Sequence, residues 1–310
     1  MPLFFQFAVK VGRLHKSPSG RFSAVPTVRR SRTQFGNGAA CPCPTAAHSF
    51  INPHPQLIII AVGGDILFAI LQISENNTIL RKPGIKSQRI NLPSGDAFFI
   101  VTADRHMGKI PWKRLERCLG ILHHCMLLPE DSTIPDGINI TAFTPEILPK
   151  LLLMNSAADY IKNHKEIFRS KSIAVFDRDG IYQAHIQRLI PYLKNIRVIT
   201  DKIDMYNSIS EKLMSDYGFS LVVSDKDSYD CDAVISHCCK APVYFSGTVF
   251  TNIKKYLMNA KVHSGSEIEL PDEYENLRPE NIGRVLFASV LYEKCGEKCL
   301  GKLRYKDFGC

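Results

Sequence analysis

The chain carries two aspartates around an arginine, closed by a glycine, at Asp177-Arg178-Asp179-Gly180, directly after the apolar run Ile173-Ala-Val-Phe176. Carboxylates in such a turn can hold backbone N–H groups or hydroxyls of a ligand, an arginine beside them tempers their charge, and the glycine supplies a positive φ. Four further polar groups follow short apolar runs in the same way: Asp201, Ser224 with Asp225, Ser236 with His237, and Ser246 with Gly247 and Thr248. None of these forms a catalytic triad or a complete phosphate-binding loop. His237-Cys238-Cys239, with Cys231 upstream, comes nearest to a metal or thiol site. Adjacent cysteines rarely both ligate one ion, so incidental thiols at a strand end are expected and no metal is assigned. Asp225, Asp227, Asp230 and Asp232 lack the glycine and terminal glutamate of a calcium loop, and read as a solvated turn.

The elements that position these groups alternate from Ser172 onward. Ile173 to Phe176 is a strand, Tyr182 to Leu193 an amphipathic helix, Ile196 to Ile199 a strand, and Lys202 to Tyr217 a second helix. Leu221 to Val223, Ala233 to Ile235 and Val243 to Phe245 follow as short strands. Apolar strands separated by helices pair in parallel through crossovers, and the Val223-to-Ala233 link is too short for a full helix. In such a sheet ligands sit beyond the carboxyl ends of the strands, where strand order reverses. That rule yields the candidate binding set Asp177, Arg178, Asp179, Gly180, Asp201, Ser224, His237, Gly247 and Thr248.

This pattern resembles the dinucleotide-binding domain of shikimate-dehydrogenase-like enzymes, in which Asp201 falls where a ribose-binding acid stands. The resemblance implies NAD or NADP as the candidate cofactor. It departs from the family where G-x-G-x-x-G is required to bring backbone against the pyrophosphate; Phe176-Asp-Arg-Asp-Gly180 has one glycine, and its carboxylates repel phosphate. Over most of residues 65–305, segments such as Ile110-Pro-Trp-Lys-Arg-Leu115, Ser246-Gly-Thr-Val-Phe250 and Leu277-Arg-Pro-Glu-Asn281 also resemble a family of bacterial Rossmann-like proteins without an assigned activity. The Asp177-to-Gly180 segment equally reads as a tight turn whose acids cap the next helix.

Ahead of this unit, Ile66 to Ile73 and Ala97 to Thr102 read as strands, and Met126 to Leu128 as a short one. A helix opens at Pro111 with Trp112, Leu115, Cys118, Leu119 and Leu122 along one stripe, and His123 and His124 close it. Thr144 is the expected cap of a long helix reaching His164, and Glu267 to Leu270 a last strand before a closing helix from Pro279 to Lys298. The fold class is therefore α/β: a smaller N-terminal α/β domain (57–168), a doubly wound, mainly parallel Rossmann-like domain (169–265), and a C-terminal strand and helix (266–310) packing back on the body. The first domain shows no recognisable Lys/Asp catalytic pair; Lys109 and Asp104 are candidates by residue type alone.

The net charge of +9 is concentrated at one end: Lys10, Arg13, Lys16, Arg21, Arg29, Arg30 and Arg32 precede the first acid, Asp65, leaving +2 for the rest. A near-neutral body removes the basis for nucleic-acid binding. Residues 1–56, acid-free and rich in Arg, Ser and Pro, read as a basic tail without a folded role, whether a disordered segment, an organellar transit peptide or sequence translated from a start codon placed too early. The apolar run from Leu57 to Ile73 is broken by Gly63-Gly64-Asp65 and falls short of the ~20 residues of a membrane span. Ten scattered cysteines fit a reducing, cytoplasmic compartment. Two functions from different classes fit: a small-molecule-binding or regulatory module with a degenerate nucleotide site, and an NAD(P)-dependent oxidoreductase.

Overall fold

A computed structural model describes residues 66–75, 84–105, 108–237, 245–253 and 259–309. The expected basic tail at 1–56 lies outside them. The first sheet has four strands in the order β2-β3-β1-β4: β1 (Ile66–Glu75), β2 (Ile85–Asn91), β3 (Ala97–Arg105) and β4 (Met126–Leu127). Strands β3 and β4 run parallel to β1, and β2 runs antiparallel to β3. Helix α1 (Trp112–Leu119) lays Trp112, Leu115 and Leu119 on one face of this sheet, as its three- and four-residue spacing demands.

Helix α2 (Leu148–Asn163) is buried nearly all round, from Leu148 to Ile161, because the closing helix, the Lys298–Lys302 turn and the Ala233–Ser236 strand of the second sheet pack around it. Its core unites Phe68, Ile70 and Phe98 of the first sheet with Ile173, Val175, Ile196 and Ile235 of the second, and with Phe287 and Leu291 of the closing helix. The expected Thr144 cap is not used: the helix begins at Leu148 with no side-chain cap of its own. Glu293 instead accepts the N–H groups of Glu146, Ile147 and Leu148 at 2.8 to 3.2 Å. A short helix, α3 (Lys165–Phe168), leads to the second sheet.

That sheet has six strands, all parallel, in the order β10-β9-β8-β5-β6-β7: β5 (Ser172–Phe176), β6 (Asn195–Ile199), β7 (Val222–Ser224), β8 (Ala233–Ser236), β9 (Thr248–Phe250) and β10 (Lys261–His263). Counted in chain order from β7's edge, this is 3-2-1-4-5-6, the Rossmann order, and it reverses between β5 and β8. Helix α4 (Ile203–Tyr217) joins β6 to β7 and ends at Gly218, whose φ of 64° fits the left-handed cap.

Three further expectations are corrected. The Tyr182–Leu193 helix is replaced by two short 3-10 turns, Ile186–Arg188 and Ile190–Tyr192. Pro191, inside that span, lacks the N–H and crowds the carbonyl four residues back. The fifth strand is Thr248–Phe250 rather than Val243–Phe245; Phe245 lies outside any strand, and Val243 and Tyr244 lie outside the described residues. Glu267 to Leu270 forms only a bridge, Ile268 to Tyr305, and β10 precedes it. Past α5 (Asp272–Glu275), the closing helix α6 spans Arg284–Lys294. The last segment is stitched to α2 by Asn155, which donates to the carbonyls of Gly301 and Leu303, and by Ser156, which accepts the Tyr305 N–H.

Candidate functional site

The carboxyl ends of β5 and β8, the neighbours at which strand order reverses, frame a cavity of about 270 Å³. Phe176, Asp177, Arg178 and Asp179 enter it from β5, Ser236 and His237 from β8, Asp227 and Tyr229 from the β7–β8 connection, and Lys150 from the first turn of α2. The rings of Phe176 and Tyr229 stack at 5.3 Å and 27° to make its apolar wall.

Asp177 is 3% exposed and already engaged. Its Oδ1 accepts the Ile181 N–H at 2.9 Å and its Oδ2 the Tyr182 N–H at 2.7 Å, while the buried Tyr206 hydroxyl donates to Oδ2. Burial, then the charge of Asp177, pushes the Tyr206 pKa far above the ordinary phenol range, so the phenol keeps the proton it donates. In dinucleotide-binding sheets the amides after the first strand face the pyrophosphate. Here two of them hold the chain's own carboxylate. Gly180, φ 80°, completes the turn, and a Cβ there would stand 2.4 Å from Met205 Cε.

Arg178 spans the rim. Its Nη1 donates to Asp201 at 2.6 Å and to the Asp225 carbonyl at 2.8 Å, and its Nη2 pairs with Asp227. Asp201 is thus turned toward a guanidinium. Lys150 pairs with Asp179 across the mouth. His237 is held by Asn252, whose Nδ2 lies 2.8 Å from the Pro149 carbonyl and 3.0 Å from His237 Nδ1. Facing a carbonyl, that atom must be the amide nitrogen; His237 Nδ1 then accepts, and the ring proton sits on Nε2. Burial, then Lys150, lowers the His237 pKa, which keeps the ring neutral.

Of the nine residues assigned from sequence, Asp177, Arg178, Asp179 and His237 line one cavity, Gly180 shapes its turn, and Asp201 meets it through Arg178. Ser224 closes a local turn on Lys226. Gly247 and Thr248 are a correction: they stand at the amino end of β9, on the opposite rim, because the strand begins at Thr248. There they line a larger cavity of about 540 Å³ with Lys171, Asp232 and Lys261. Of its two carboxylates, Asp230 and Asp232, the second is consumed by the N–H and hydroxyl of Ser172 and by Lys171. The smaller cavity is the better candidate, since strand-end polar groups converge on it. Sequence reasoning missed Lys150, which belongs to an element preceding the sheet, and Asn252, which the true end of β9 would have revealed. In the first sheet, Asp104 accepts the Gly84 N–H at 2.8 Å. Among the described residues no three His, Cys, Asp or Glu side chains gather as a metal-binding group, and no helix is long and apolar enough to cross a membrane.

No protein-family model and no curated protein matches the chain. Among solved structures it is similar to L-tryptophan dehydrogenase from Nostoc punctiforme, at 12% identity and a TM-score of 0.29 over 67% of this chain and 65% of that one, which is under two thirds of that enzyme's length. Quinate dehydrogenase from Corynebacterium glutamicum in complex with NAD is 9% identical, with a TM-score of 0.29, over 64% of this chain and 88% of the other. A shikimate dehydrogenase in complex with NADP+ is 14% identical, with a TM-score of 0.27, over 65% and 86%. At such values the site stands on its own geometry alone.

Proposed function

We propose that the chain is a small-molecule-binding module of regulatory rather than catalytic kind, whose ligand occupies the cavity between the carboxyl ends of β5 and β8. One observation carries this reading: the Ile181 and Tyr182 amides, which would meet a pyrophosphate, are occupied by the buried Asp177 carboxylate. A phosphate brought there would meet a negative charge and find no free donor on those two groups. The cavity, at about 270 Å³, lies below the ~300–1,000 Å³ range of sites that enclose drug-sized ligands, so it suits a small metabolite and not a dinucleotide. The residues present therefore do not fit NAD or NADP in the Rossmann manner.

The strand order and the position of Asp201 favour a second reading, an NAD(P)-dependent oxidoreductase. Thermal melts with NAD(H), NADP(H) and ATP separate the two. A bound nucleotide at a hundredfold excess over Kd adds about 2.7 kcal/mol and raises Tm by several degrees. The proposal expects no shift with any of them; a rise with a dinucleotide would overturn it in favour of the oxidoreductase.

A further inference from the structure

Resting on that reading of the cavity, the charges around it define what it takes. Asp177 is satisfied by two amides and a phenol, and Arg178 is shared between Asp201 and Asp227. One further pair lines the cavity, Lys150 with Asp179, and its members come from different elements, the first turn of α2 and the loop after β5. With side chains 21% and 60% exposed, this pair is of the kind that costs little to open. A simple anion entering against Lys150 would leave Asp179 facing a second negative charge. A simple cation entering against Asp179 would leave Lys150 without its partner beside a new positive one. Only a ligand with both signs separates the two without stranding either.

We infer that the cavity binds a small zwitterion of the α-amino acid class, its carboxylate on Lys150 and the Nε2–H of His237, its ammonium on Asp179, and its apolar side chain against Phe176 and Tyr229. The ligand replaces one internal ion pair by two intermolecular ones. His237 suits the carboxylate because its Nδ1 is engaged by Asn252, which leaves the other ring nitrogen to donate. The stacked rings supply the wall that an aliphatic or aromatic side chain needs.

The full chain is titrated calorimetrically with L-phenylalanine and L-leucine, and in parallel with the deaminated acids hydrocinnamate and isocaproate and the decarboxylated amines phenethylamine and isoamylamine. An amino acid should bind at least ~10-fold more tightly than its acid or amine, since a hydrogen bond to a charged group is worth about that factor. Lys150→Met and Asp179→Asn should each remove the binding while leaving the far-ultraviolet circular dichroism and melting temperature of the free protein unchanged. Acid or amine binding as tightly as the amino acid would overturn the zwitterion assignment and leave the cavity a ligand site. No binding by any of the six, or binding that survives both substitutions, would overturn the assignment as well. The nucleotide melts decide the broader reading independently.

Discussion

The Tyr206 hydroxyl donates to the carboxylate of Asp177, so a phenol from α4 fixes the group that in turn holds the turn after β5. Both residues are buried, and burial keeps Tyr206 protonated. The carboxylate therefore has three donors and needs no ligand. It joins the turn after β5 to the helix after β6, so the β5 side of the site is held by its neighbouring strand's helix.

Asp177→Asn should therefore be severe. The amide would present an N–H toward the Tyr182 N–H and the Tyr206 hydroxyl, or toward Ile181, and two donors would face each other in a dry site. Hydrogen bonds to a charged acceptor are worth about 1.5–3 kcal/mol, so a loss of about 3 kcal/mol in urea unfolding is expected. Tyr206→Phe leaves both amide bonds and should cost about 2 kcal/mol. Because the two share one bond, the double variant should cost less than the sum, and additive losses would contradict the shared network.

A second carboxylate does comparable work at the other end of the fold. Glu293 on α6 accepts three successive N–H groups at the start of α2, which has no capping side chain of its own. Glu293→Ala should lower stability by about 1–2 kcal/mol, the scale of a lost N-cap, and Glu293→Gln by less, since the amide oxygen still accepts but lacks the charge that the helix dipole favours. Equal losses in the two variants would show that the neutral acceptor contributes nothing once the charge is gone.

That long-range cap illustrates what the sequence leaves unreadable. The apolar runs at Ile173–Phe176 and Ile196–Ile199 and the helix through Tyr217 are legible because their periodicity is local. Thr144 looked like the cap because capping residues are sought nearby, whereas the group used lies about 147 positions away along the chain. Apolar spacing alone favours a Tyr182–Leu193 helix, whereas Pro191 within it opposes one. The site divides in the same way. Asp177 to Gly180 and His237 follow from strand ends, Lys150 depends on packing between elements, and Gly247 and Thr248 were misplaced by a strand set one short segment too early.

Two glycines distinguish flexible from rigid crowding. At Gly180 an added methyl would meet the end of Met205, 2.4 Å away, and would sit at a positive φ. The methionine can swing aside, so Gly180→Ala should cost about 1–2 kcal/mol, chiefly for the left-handed conformation. At Gly247 the same methyl would stand 2.3 Å from the Asp232 carbonyl oxygen and 2.6 Å from Phe245 Cζ. That oxygen accepts the Thr248 N–H at 3.0 Å and cannot retreat without breaking the register of β8 and β9. Gly247→Ala should therefore cost about 3 kcal/mol or more, at the upper end of overpacking. Chemical denaturation of both variants ranks them, and the opposite order would mean that the β8–β9 junction yields more readily than the turn.

The pH dependence of stability should carry the signature of His263. It is 1% exposed, packed against Tyr160 at 4.2 Å and Phe250 at 5.3 Å, and burial, followed by the charges of Lys261 and His164, lowers its pKa to about 4. In the unfolded chain the imidazole titrates near its ordinary 6.5. Between these values the unfolded chain binds a proton that the folded chain refuses, so stability is fully present above about pH 6.5 and falls as the pH drops toward 4. The loss across that window should be roughly 2–3 kcal/mol. His185 and His237 are lowered in the same direction, so they add to the slope and do not oppose it. His263→Phe keeps the ring stack and removes the proton. Urea midpoints measured from pH 4 to 7 should show a shallower slope for the variant than for the native chain, and identical slopes would mean that the buried imidazole is not what destabilises the fold in acid.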